Sequence, residues 1–450
     1  MTIEVFSRTR LPRLNLDSCE FPVPESLGLE EIFGALSAKF RPAWMWNAPS
    51  GAAEICLGAA ARIGGDSQVT LTASESRAVI ALEAAGEGDR FARTDELLHE
   101  LWDRCDDPDH AAAVGGASFA PGPHMAAPWS YFPRISFVVP AVRIRLVRGI
   151  VHVGFARIGD AASPLHNEHR LRRLIAESAR CNDEPGSFTV QATLPRDSYE
   201  AAVRTTVDSI ERGDLNKLVL ARSVEIEANR AFDVASVAAR LGKQNPACTA
   251  FAVTDGGGTF LGATPETLLR VRDGHCESRP LAGTVRAGTE ISEIERDKLT
   301  REHRLLANAV VETMTPACGN LTFDAEPAMQ TFGGISHLAT RVEGTMKPGV
   351  TALALIGALH PTPAVGADPA GAIAALGSLE TFERGWYAGV IARVGPTEAD
   401  AVLALRCGLV RGKRATIYAG CGIVAGSDPA TEFEESRLKM RPMLDALVTT

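Results

Sequence analysis

Glu432, Glu435 and Lys439 stand at i, i+3 and i+7 close to the end of the chain. A helix from Asp428 to about Leu447 would put them on one stripe, continued by Met443, with Phe433, Leu444 and Leu447 opposite. Two readings fit: a solvated face laced by i,i+3 and i,i+4 pairs, or the wall of an anion-and-metal site. Asp428 can cap this helix, and Pro429 suits its first position. The strand before it, residues 415–424, ends in glycines that expose backbone N–H groups beside the helix start, a common way to hold an anion.

Other side chains carry similar double readings. Glu302 shares a helix stripe with Leu299, His303, Leu306 and Val310, where a carboxylate is costly unless paired or metal-bound. The plain alternative is an edge glutamate reaching water. Taken with Glu432 and Glu435, it makes an oxygen-only donor set, which suits Mg²⁺. Lys217 opens a strand with Val219, Ala221 and Ser223 on its face; it is either a buried amine tuned toward a base or a strand-end lysine in solvent. Glu266 follows Thr264-Pro265 and is either a protonatable acid in an apolar site or an exposed loop residue. Arg406 is expected to alternate with Val402, Ala404 and Gly408 on one strand, facing a substrate carboxylate or an internal partner. His337 and His360 have no second His or Cys at ligand spacing and read as hydrogen bonders.

The elements that must position these groups alternate in a recognisable way. Helices are expected over 29–40, 95–103, 167–178, 197–212, 233–244, 292–314 and 351–359. Strands are expected over 44–46, 54–58, 69–72, 136–146, 150–158, 217–224, 249–254, 259–263 and 267–271, with a hairpin of 401–410 and 414–424. Val114–Phe119 reads as a turn and Arg279–Gly288 as a loop. Strands beside strands, with helices arriving singly, argue for an α+β protein with large antiparallel sheets. Residues 160–188 are the best connector, so 1–190 and 191–450 are expected as two parts of one unit.

The totals narrow the class. The chain has 450 residues, 45% hydrophobic and 22% charged, as in a soluble globular protein. A net charge of −9 without a basic tract argues against nucleic acid. No apolar run reaches the ~18 residues of a membrane span. Nine scattered cysteines without a CxxC pair fit reduced thiols in a cytoplasm.

Eight motifs occur in order: Lys217-Leu-Val-Leu-Ala-Arg, Phe260-Leu-Gly-Ala-Thr-Pro-Glu-Thr-Leu, Pro280-Leu-Ala-Gly-Thr, Arg301-Glu-His, His337-Leu-Ala-Thr-Arg, His360-Pro-Thr-Pro-Ala-Val-Gly, Ala404-Leu-Arg-Cys, and Tyr418-Ala-Gly-Cys-Gly-Ile-Val with Ser427-Asp-Pro and Glu432-Phe-Glu-Glu. Over roughly residues 195–447 this set resembles the chorismate-utilising enzymes: isochorismate synthase, salicylate synthase, anthranilate synthase component I and aminodeoxychorismate synthase component I. The N-terminal part resembles that family's variable first part only loosely.

The resemblance implies the family's fold, large antiparallel sheets packed together with helices outside. It implies that Glu302 and Glu435 bind Mg²⁺, with Glu432 helping through water, and that the metal grips the ring carboxylate of chorismate. Gly283, Thr284, Gly420 and Gly422 would line the carboxylates, and His337 the ring region. Tyr387, Arg406 and Lys439 would meet the substrate. Lys217 would be the general base for water attacking C2, and Glu266 the general acid for the departing C4 hydroxyl.

A lysine at position 217 marks water rather than ammonia as nucleophile, so no glutaminase subunit is expected. Ala282 departs from the lysine of the aminodeoxychorismate branch, and Ala364 from the threonine of salicylate synthases. Ala392-Arg393 replaces a Gly-Trp often seen there. The implied activity is chorismate to isochorismate, feeding menaquinone, a siderophore or a salicylate-type product, by a cytoplasmic monomer. The alternatives are salicylate synthase, which goes on to eliminate pyruvate, and a catalytically silent chorismate-binding protein.

Overall fold

The strand Lys217–Ala228 shows how this sequence builds sheet. Its first eight residues are all buried and only then does exposure alternate, so the strand is covered on both faces at its start and on one face at its end. It pairs antiparallel with Arg414–Ile423, from Leu218 opposite Ile423 to Glu227 opposite Arg414. The computed structural model describes residues 2–5, 12–23, 27–75, 78–83, 88–159, 167–177, 187–290 and 293–448.

Two twelve-stranded sheets and a three-stranded one carry the fold. The first runs from Thr2–Val5 through Ile135–Val139, Val390–Val394 and Glu398–Leu403 to Cys318–Phe323; the second runs from Phe188–Ala192 through Lys217–Ala228, Gly258–Thr264 and Ala43–Asn47 to Leu14–Pro22. Each large sheet therefore takes strands from both sides of residue 190. Every described strand ladder is antiparallel except Thr2–Val5 beside Ala78–Glu83. The small sheet joins Leu281–Arg286, Ile335–Ala339 and Ala328–Phe332.

One apolar cluster joins the two large sheets, with Trp44, Trp129, Phe132, Phe251, Phe260 and Trp386 among its members. Trp129 meets Phe260 edge-on at 5.1 Å and Phe132 at 5.6 Å. Each such side chain contributes about 1.5–3 kcal/mol by leaving water. A second cluster lies on the other face of the second sheet, under the helices Leu29–Ser37, Val234–Gln244 and Pro429–Val448. No described helix is long and apolar enough to cross a membrane.

The C-terminal helix begins as its sequence predicts, with the Asp428 carboxylate accepting from the Thr431 N–H at 2.8 Å. Four other expectations change. Val114–Phe119 is not a turn: Ala113–Ala117 is a buried strand. Its glycines serve close packing, since a Cβ on Gly115 would sit 2.3 Å from the Phe137 ring. Residues 136–146 are two strands, because Pro140 cannot donate to a ladder and the chain changes sheet there. Arg279–Gly288 is largely the strand Leu281–Arg286, bulged between Ala282 and Thr284 with Gly283 at φ 69. Residues 401–410 also divide, into Glu398–Leu403 of the first sheet and Cys407–Arg411 of the second, and Arg406 sits in the crossing at φ 50. Of the proposed connector, 160–166 and 178–186 lie outside the described residues.

Candidate active site

Where the Lys217 strand meets its neighbour, the chain needs glycine. Val219 lies opposite Gly422, and Ala221 opposite Gly420. A Cβ on Gly422 would come within 2.4 Å of Glu302 Oε1 and 2.7 Å of Lys217 Cε; one on Gly420 would come within 2.9 Å of the Tyr387 hydroxyl. The bare strand thus makes room for three functional side chains arriving from elsewhere. Lys217 itself is 1% exposed, and its Nζ donates to Glu302 Oε1 at 3.0 Å.

One cavity gathers twelve of the fourteen residues singled out from sequence: Lys217, Glu266, Gly283, Thr284, Glu302, His337, Ala364, Tyr387, Arg406, Gly420, Gly422 and Lys439. Glu435 adjoins it, with Oε1 at 2.7 Å from Lys439 Nζ, which also donates to Gly420 O at 3.1 Å. Burial works against the Lys439 charge, but Glu435 outweighs it and holds the amine above its ordinary value. Glu432, the fourteenth, is 3% exposed; its carboxylate, that of Glu435 and the Cys421 thiol fall within 4.8 Å of one another. Glu302 stands outside that trio, on the Lys217 side.

Glu266 is buried beyond the Pro265 turn. Burial raises its carboxyl to about 7, although the Leu281 N–H at 3.4 Å and the charges of Lys217, Lys439 and Arg406 pull the other way. A group poised there can be protonated near neutrality and hand its proton on.

His337 is buried too, and burial, then Arg406 and Lys439, hold its pKa well below the ordinary value, so the imidazole is neutral. Arg406 Nη2 lies 3.1 Å from His337 Nε2 and can only donate, which leaves the ring proton on Nδ1, 3.3 Å from Thr284 Oγ1. The chain Arg406–His337–Thr284 is thereby directional. Arg406 Nη1 is buried with no partner among the described residues, a cationic donor in the cavity wall.

Three features escaped the sequence. Tyr418 stacks under Tyr387 at 5.2 Å and 15°, and it alternates with Gly420 and Gly422 along the strand, a signal that was there to use. Cys421 is brought to the glutamates only by the fold; burial pushes its thiol up, and it donates to Glu432 O at 3.2 Å. Arg384, the third, donates from Nη2 to Val219 O on the Lys217 strand at 2.6 Å. His360 lies away from the cavity lining, with Nε2 donating to Ala388 O at 3.0 Å between Phe91 and Phe119.

Residues 65–448 match the family described as chorismate binding enzyme. The chain belongs to the chorismate-binding enzymes. It is 31% identical over 393 residues to the salicylate biosynthesis isochorismate synthase of Pseudomonas aeruginosa, covering 82% of this chain and 81% of that one. It is 27% identical over 347 residues to isochorismate synthase MenF of Bacillus subtilis, covering 74% of each. The fold is that of MenF, the menaquinone-specific isochorismate synthase of Escherichia coli, with a TM-score of 0.76 over 97% of this chain and 96% of that one at 21% identity. Anthranilate synthase component I of Streptococcus pneumoniae has the same fold, with a TM-score of 0.67 at 20% identity over 89% of this chain and 92% of that one. The cavity of this chorismate-binding enzyme therefore holds its acids and bases on a scaffold that several branches share.

Proposed function

We propose that this chorismate-binding enzyme is an isochorismate synthase. One observation carries the reading: the Lys217 amine and the Glu266 carboxyl, one from a strand start and one from a turn after a strand, line the same buried cavity. An amine that takes a proton and a carboxyl that gives one are what an exchange of hydroxyl groups needs.

Water adds at C2 as Lys217 accepts its proton. The two ring double bonds shift, the C4–O bond breaks, and Glu266 protonates the departing hydroxyl, which leaves as water. Atoms balance, with one water entering and one leaving. The Arg406 Nη1 donor meets the enolpyruvyl carboxylate, and neutral His337 fixes the Arg406 fork beside the ring. Lys439 and the backbone groups about Gly283, Thr284, Gly420 and Gly422 face the remaining anionic oxygens.

The acidic donor set fits a hard divalent cation. Glu432 and Glu435 converge, Glu302 faces the cavity, and the buried Cys421 thiol stays protonated and so leaves oxygen as the available donor. Glu302 and Glu435, with Glu432 acting through water, would hold Mg²⁺, which when bound neutralises the ring carboxylate.

Only the Ala364 methyl stands at the position where threonine marks the salicylate branch, which supports release of isochorismate before pyruvate is lost. Incubation with chorismate and Mg²⁺, followed by chromatography, tests this. Isochorismate is expected; salicylate with free pyruvate, or no product at all, would refute it.

A further inference from the structure

Along one edge of the Lys217 strand a gap opens. Ala367–Asp368 pair with Lys217–Leu218, and Phe188–Ala192 pair with Val224–Ala228, but among the described residues no strand lies against Val219–Arg222 on that side. Two of its backbone groups are met by side chains. Arg384 Nη2 donates to Val219 O at 2.6 Å, and Glu380 Oε1 accepts from the Ala221 N–H at 2.8 Å. The two side chains are bonded to each other, with Arg384 Nε donating to Glu380 Oε2 at 2.8 Å, and they are only 4% and 5% exposed. Phe119 lies under the guanidinium at 4.3 Å.

The same guanidinium reaches one further wall of the cavity, and the Arg384 backbone opens the turn that carries Tyr387. Its Nη1 donates to Val365 O at 2.7 Å, next to Ala364, and the Arg384 carbonyl accepts from the Tyr387 N–H at 3.0 Å. Val219 N–H donates in turn to Gly366 O at 2.9 Å. One buried ion pair thus ties together the strand of Lys217, the turn of Ala364 and the turn of Tyr387.

We propose that the Arg384–Glu380 pair is a positioning element for the reaction: it stands in for the missing strand neighbour and fixes Lys217, Ala364 and Tyr387 in register with one another. The inference deepens the isochorismate synthase reading and rests on it. A planar guanidinium with several donors can reach Glu380, Val219 and Val365 together; an ammonium at the same position cannot. Loosening the strand against the turns displaces the base more than it alters ground-state binding, because the Arg406 carbonyl accepts from Ala263 N–H of another strand and Lys439 stands on the C-terminal helix.

The test is Arg384→Lys, which keeps the buried charge. Displacing a reacting group by ~1 Å costs up to about 100-fold, so kcat is expected to fall about 10- to 100-fold with KM for chorismate within about threefold. Amide hydrogen exchange at Val219 and Ala221 is expected to quicken in the same variant, with the C-terminal helix unchanged. Should Arg384→Lys fail to fold, Glu380→Gln is read identically. Unchanged kcat, a defect carried by KM instead, or unaltered exchange at Val219 and Ala221 overturns the proposal. Exchange is read without substrate, so a wild-type protein that ignores chorismate would sink the functional reading while still deciding the role of the pair.

Discussion

Lys217 Nζ and Glu302 Oε1 meet at 3.0 Å, although 85 residues separate them. The contact joins a strand start to the middle of the helix Glu293–Ala317 and sets the amine on the cavity wall. Replacing Lys217 with Ala should lower kcat by about 10²- to 10⁴-fold, the usual worth of a positioned acid or base, while the calorimetric affinity for chorismate changes only a few-fold. A variant with near-normal turnover would remove Lys217 from the reaction.

Glu266 links activity to stability in opposite senses. Its folded value of about 7 lies above the ordinary 4.5, so between those values the folded protein holds a proton that the unfolded chain has released. Stability is therefore lost as pH rises from 4.5 through 7, by about 3 kcal/mol in total. Glu266→Gln should abolish turnover yet melt higher than wild type at pH 8, by about 1–3 kcal/mol of unfolding free energy. In the wild type, kcat/KM should decline on the alkaline side of about 7, as the general acid loses its proton. A variant that is both inactive and less stable at pH 8 would contradict the assigned environment.

Gly422→Ala places a methyl group 2.4 Å from Glu302 Oε1 and 2.7 Å from Lys217 Cε. The pair must separate to admit it. A stability loss of about 1–3 kcal/mol is expected, with a fall in kcat larger than that of Gly377→Ala, whose site is open. Equal kinetics for the two variants would show that the close approach of backbone to the Lys217–Glu302 contact is not used.

These positions show what the sequence could and could not reveal. Lys217, Glu302, Gly420 and Gly422 were legible because each sits in a local pattern, a lysine opening a buried strand, a carboxylate on an apolar helix stripe or glycines alternating on a strand, while Gly283, Thr284, Ala364 and Tyr387 were legible only through the resemblance to a family. The Lys217–Glu302 and Lys439–Glu435 contacts follow once those patterns are folded together. Two of the misread stretches were read from their glycines. Gly115 and Gly116 look like turn residues, yet a Cβ there would strike Phe137 and Trp386, so they are glycine because another element lies close; Gly283 is glycine for its bulge, at φ 69. Crowding by a distant segment leaves no local mark. For the same reason the Arg384–Glu380 pair went unseen: i,i+4 ions usually describe a solvated helix face, and only the unfilled strand edge gives them a task. Arg393, at the departure from the family pattern, is bound to Asp400 and Glu398 at 2.8 Å each.

The carboxylates should bind Mg²⁺ in the absence of substrate. Isothermal titration of the wild-type protein is expected to show saturable heat that Glu435→Gln abolishes and Glu434→Gln, on the exposed side of the same helix, leaves intact. Identical titrations for wild type and Glu435→Gln would dissociate this cluster from the metal.

The most direct measurement is the mass spectrum of the product formed from chorismate in ¹⁸O-enriched water. Isochorismate carrying one solvent oxygen at C2 is predicted, because the entering hydroxyl comes from the water that Lys217 deprotonates. Unlabelled isochorismate, or a product retaining the original C4 oxygen at C2, would contradict the account.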